Sequence, residues 1–129
     1  MTEPPPLPSG ATLRIIRMAF LGGVVLFGVA VTFLVGRDGP RAPEEATTLQ
    51  IMNILFLAAA ALGILWIQHK HAAEQDSAAR KSLNIAGWAF GEATALFGAV
   101  HYLLVGSPIP YLVGLGMMLA AFALVPIRE

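Results

Sequence analysis

Cysteine is absent from the 129 residues, which excludes disulfides, thiolate metal sites and cysteine nucleophiles. Charge is scarce: eight Lys and Arg and eight Asp and Glu make up 12% of the chain and leave a formal net charge of zero. No basic face with interleaved aromatics occurs, so nucleic acid is not an expected partner. The few charges are also segregated, because Met18 to Val35, Ile51 to Ile67 and Ile109 to Ile127 contain no Asp, Glu, Lys or Arg. A Gly-rich phosphate loop, a nucleophile-plus-base set and zinc-ligand spacing are all lacking. Neither an enzyme nor a metal or other cofactor is therefore expected, since one buried carboxyl cannot serve as both acid and base.

What is present is apolar. Hydrophobic residues make up 57% of the chain, against roughly 45–50% in an ordinary soluble domain. They fall into four runs, residues 15–35, 49–67, 83–105 and 109–127. A helix rising 1.5 Å per residue needs about 20 such residues to cross a hydrocarbon core of about 30 Å. The pattern predicts an all-α integral membrane bundle of four transmembrane helices, built from two helical hairpins over residues 13–127. The first run is longer than the 7–15 apolar residues of a signal peptide and is read as a span. Ahead of it, "MTEPPPLPSGAT" holds four prolines among small polar residues, and residues 1–12 are expected to be a disordered Pro-rich tail.

The connections carry the polar residues. "GRDGPRAPEEATT" reads as a loop in which Thr47 or Thr48 is placed to cap the next helix. Residues 69–82 read as a polar helical connector, and "GSPIP" is short enough to force an antiparallel hairpin. Arg14, Arg17, Lys70, Arg80, Lys81 and Arg128 flank one side of the spans, and only Arg37 and Arg41 the other. By the positive-inside rule both termini and the connector are cytoplasmic, in a membrane expected to be the bacterial inner membrane.

Shifted by 70, residues 17–36 overlie 87–106 with eight of twenty positions identical, among them Phe27 on Phe97 and Gly28 on Gly98. Two related hairpins would enter the membrane in the same direction, related by an axis along its normal. Glu92 then stands where the first half has Gly22.

Glu92 is the one acidic residue inside a span. It lies nine residues beyond Leu83, roughly 13 Å into the membrane. Its side chain is too short to reach water, so it must face protein or a polar cavity, where the neutral acid is the cheapest form. Arg17, about one and a half turns nearer the cytoplasm, is the cation within reach, and the pair forms the ion-binding candidate. Gly87, Gly91, Ala95 and Ala99 repeat at i,i+4 beside it, a small-residue stripe suited to close helix packing within the bundle or between copies. Gly22 and Gly23 on the first span are assigned the same packing role. His101 is turned to the other side of the helix and is expected at the outer interface with Tyr102. His69 and His71 fit a helix C-terminus, and Asn53 fits interhelical hydrogen bonding.

At "AFGEATALFGAVHYLL", residues 86–106 resemble the ion-binding helix of rotary ATPase c-type proteolipids, in which a mid-membrane Glu follows small residues. The resemblance implies transient binding of a proton or Na⁺ at Glu92. That family sets its carboxylate on the second helix of a hairpin, whereas Glu92 is on the first helix of the second hairpin. The chain as a whole resembles small four-span bacterial membrane proteins made of two such halves. The expected role is a non-enzymatic accessory subunit of a membrane assembly or a homo-oligomer, with the bilayer and other transmembrane subunits, or itself, as partners.

Overall fold

The computed structural model describes residues 10–128. Four α-helices follow one another: α1 (Gly10–Asp38), α2 (Ala46–Ala73), α3 (Ser77–Val105) and α4 (Ile109–Leu124). A single 3-10 turn, Pro43–Glu45, leads into α2. The described residues contain no strand. Residues 1–9 of the expected Pro-rich tail lie outside the described residues, and residues 10–12 form the first turn of α1 rather than part of a tail.

α1, α2 and α3 are long and apolar enough to cross a membrane. α4 is not, having 16 residues, or about 24 Å at 1.5 Å per residue. The fourth run was expected to stay helical to residue 127. It ends at Leu124 because the residue before a proline is pushed out of the helical region, and Val125, preceding Pro126, has φ −118° and ψ 72°.

The helical connector of residues 69–82 does not exist as a separate element. α2 continues to Ala73, only residues 74–76 leave helical geometry, and α3 starts at Ser77. The break is set by Asp76, whose carboxylate accepts the Ala79 N–H at 3.0 Å and so caps α3. Neither Thr47 nor Thr48 caps α2, because the helix begins ahead of both, after the 3-10 turn, with Glu45 in the cap position.

The packing departs from two equivalent hairpins. α3 is the central helix, with α1, α2 and α4 each packed against it, and no Cα of α1 comes within 8 Å of one of α2. α3 and α4 form the most closely packed hairpin. Its intimacy comes from glycine: a Cβ on Gly91 would stand 2.7 Å from Cα of Met118. A Cβ on Gly98 would strike the Pro110 backbone, and one on Gly114 the backbone of Thr94 and Ala95. Thr94 adds bonds from its hydroxyl to the carbonyls of Gly91 at 2.7 Å and Gly114 at 3.2 Å.

α1 is fastened to this pair by Tyr111, whose hydroxyl donates to the Val24 carbonyl at 2.9 Å. It reaches that carbonyl because Gly28, one turn on, leaves room for the ring. Gly28 and Gly98, matched by the 70-residue shift, thus both abut Tyr111, one against its side chain and the other against its backbone. At the end of the bundle that carries the loop before α2, the N–H groups of Arg41 and Ala42 bond the carbonyls of Leu103 and Leu104 at 3.1 and 2.7 Å, satisfying acceptors that a helix end leaves open. Arg37 and Arg41, the two cations on that side, both bond Asp38, at 2.9 and 3.3 Å.

Large apolar side chains such as Ile15, Leu26, Phe33, Ile54, Leu55 and Leu62 remain exposed on α1 and α2. Trp66 is also exposed, with the Lys70 ammonium 5.4 Å from its ring, an amphipathic pairing suited to a membrane–water boundary.

Candidate functional site

Glu92 owes its position to the faces of α3. Gly87, Gly91, Ala95 and Ala99 are buried, and Gly91 turns towards α4. Phe90 lies over Gly63, and Phe97 stacks on Phe56 with ring centroids 5.0 Å apart, so that side of α3 faces α2. Successive helical residues turn by 100°, which directs Glu92 to the opposite side, towards α1. It stands one turn beyond Trp88, which shares a buried cluster with Leu13 of α1, Ile16 and Phe20 packing against that cluster.

Glu92 is half-buried. The ion pairs among the described residues are those of Asp38 with Arg37 and Arg41. Arg17 is half-buried on the same face of α1 as Leu13 and Val24, yet it is not joined to Glu92. Helical side chains lean towards their own N-terminus, which carries Arg17 away from Glu92 rather than up to it.

Gly22 and Gly23 differ from the α3 stripe. Both are exposed, and a Cβ on either would meet nothing within 4 Å. Neither packs closely against another described residue. Beside Glu92, the side of α3 between α1 and α2 forms the floor of an apolar groove of about 520 Å³, with Phe27 and Phe56 as walls and Ala93, Leu96 and Val100 beneath.

The end of the bundle at the break between α2 and α3 holds a polar cluster that the apolar runs conceal. The Asn84 amide donates to the carbonyls of Val125 and Pro126, each at 2.9 Å, and Trp88 Nε1 donates to the same Val125 carbonyl at 3.0 Å. With its NH₂ thus engaged, Asn84 presents Oδ1 to His71 Nε2 at 3.0 Å. Nε2 must be the protonated nitrogen. His71, Asn84 and Trp88 are each at most 1% exposed. His71 lies beyond the apolar span ending at Ile67; burial lowers its pKa from the usual imidazole value, against the opposing effect of the Asn84 bond, and Arg128 and Arg80 lower it further. His71 does lie in the last turn of α2, as its sequence position suggests, but nothing in the apolar run marks Asn84 and Trp88 as its neighbours. The spacing of Asn84 and Trp88 at i,i+4 could have identified a polar stripe on α3, but its partner, the backbone after α4, has no sequence signature.

His101 lies one turn from the end of α3, as expected of a residue near the interface, but it is buried rather than exposed there. It is 4% exposed, and its Nδ1 is enclosed without a hydrogen-bond partner, as is Oδ1 of Asn53. No group of three or more metal-ligating side chains occurs among the described residues. Compared with known proteins, the chain matches no family model, no curated protein and no solved structure.

Proposed function

We propose that the chain is a small, non-enzymatic membrane component that works by packing against other transmembrane helices, as an accessory subunit of a larger assembly or as an oligomer of itself. The observation that carries this reading is the separation of α1 from α2, which leaves the Phe27–Phe56 groove over Ala93 without a covering helix. The open glycine pair Gly22 and Gly23 supplies a second close-approach surface on α1. The distribution of Lys and Arg supports an orientation with both termini and the break at residues 74–76 in the cytoplasm and the loop at residues 39–45 outside, and the membrane in this reading is a bacterial inner membrane.

Native mass measurement after mild detergent extraction tests the reading. The expected species is a multiple of the 13.6 kDa chain, or the chain with a stoichiometric partner, and Ala93→Trp or Gly22→Leu dissociates it. A strictly monomeric, partner-free species counts against assembly.

The second reading is a proton- or cation-binding element centred on Glu92, with Arg17 modulating it from below. It is favoured by a half-buried carboxyl that has no bond to another described residue. Infrared titration of the carboxyl band, compared with Glu92→Gln, decides it: a band indifferent to pH, Na⁺ and membrane potential removes ion exchange from the role of this site.

A further inference from the structure

At the outer end of the molecule, α2, α3 and the start of α4 enclose a cavity of about 300 Å³. Its polar lining is Gln50, His101 and Ser107, and Val105, Ile109 and Pro110 supply apolar wall. The contacts of Phe56 with Phe97 and of Gly63 with Phe90 set the antiparallel register of α2 on α3. That register brings Asn53 level with Val100 and His101, one turn deeper than Gln50 on α2.

His101 is almost wholly enclosed, and the structure gives neither ring nitrogen a hydrogen bond to a described residue. Asn53 is enclosed to the same degree, with its Oδ1 unpartnered. Buried polar groups ordinarily have partners, and an unpartnered histidine in the lining of a cavity that also presents Gln50 and Ser107 indicates a bonding group supplied from elsewhere. The lining contains no Lys, Arg, Asp or Glu, while Gln50, His101 and Ser107 all both donate and accept. Glu44 and Glu45 precede the first turn of α2 and oppose an anion at that helix end.

We infer that this cavity binds the uncharged head of a membrane amphiphile, one whose hydroxyl or carbonyl oxygens bond Gln50, His101 and Ser107 at the outer boundary of the bilayer. Its tail lies along the apolar wall. Quinones and diacylglycerols share this head-group chemistry and are the two available sources.

The test uses the full chain in phosphatidylcholine nanodiscs with ¹⁵N-labelled histidine, the His101 signals being those lost in His101→Gln. Decylubiquinone and 1,2-dioctanoylglycerol are titrated separately, with phosphatidylglycerol as the charged comparison. Saturable movement of the His101 ring signals is expected with at least one uncharged probe, and the arm that responds identifies the source. Gln50→Ala combined with Ser107→Ala, both outside the packed core, weakens that response by about tenfold, the effect of losing roughly 1.4 kcal/mol of binding. No movement with either uncharged probe, movement with phosphatidylglycerol alone, or an equal response in the double variant overturns the assignment.

Discussion

Asn84 joins three segments through one side chain, which makes it the residue whose loss spreads furthest. Asn84→Leu removes the acceptor for His71 Nε2–H and a donor to the Val125 and Pro126 carbonyls. Val125 keeps its bond from Trp88, so two groups are stranded, at about 1–3 kcal/mol each. Unfolding of the purified protein in denaturing detergent should show a loss of about 2–6 kcal/mol. Trp88→Phe keeps the edge-on packing against Phe122 but drops one bond, and the loss expected is about 1 kcal/mol.

The same measurement followed against pH reports on His71. Its folded pKa lies below the ordinary imidazole value of 6.5, so below about pH 6.5 the unfolded chain takes up a proton that the folded chain resists. Stability is full above that pH and falls as the pH drops towards the folded value. His71→Gln, which retains an N–H donor for Asn84, flattens the profile; an unchanged slope would show that another group is titrating.

Among the helices, glycine separates the packed faces from the open ones. Gly98→Val and Gly114→Val thrust methyl groups into the facing backbone, where overpacking costs about 1–3 kcal/mol and moves α4 off α3. Gly22→Ala and Gly23→Ala meet only open space and should leave the fold intact, with the small gain that Ala brings to a helix. Circular dichroism and detergent-unfolding midpoints of the four variants distinguish the classes. The sequence conveyed the existence of the helices well, because runs of about 20 apolar residues have few alternatives. It could not convey which glycines are packed, since Gly22 and Gly91 look alike until the neighbours of each helix are known. The end of α4 was legible in Pro126 yet was outweighed by the apolar run that continues past it. The burial of His101 was not legible, because an exposed and a buried histidine share the same spacing from the end of a span.

For the molecule as a whole, the lack of cysteine permits a clean test of orientation, because any single cysteine introduced is the only one. Glu44→Cys, in the loop proposed to be outside, should react with a membrane-impermeant maleimide in intact cells. Gln75→Cys, in the break between α2 and α3, should react only after permeabilisation. Both positions are exposed, so burial cannot mimic protection, and the reverse pattern would invert the proposed topology.

The central place of α3 bears on how the chain enters a membrane in the first place. α3 is the least apolar of the three long helices and carries Glu92, yet it is the helix on which all the others pack. α1 and α2 are synthesised before it and are not packed on each other. If they enter a bilayer in that order, each would do so with one flank still uncovered, and the less apolar third helix would arrive between two docking faces already in place. Helix order thus becomes a condition of insertion: were α3 made first, Glu92 would meet lipid before it met protein.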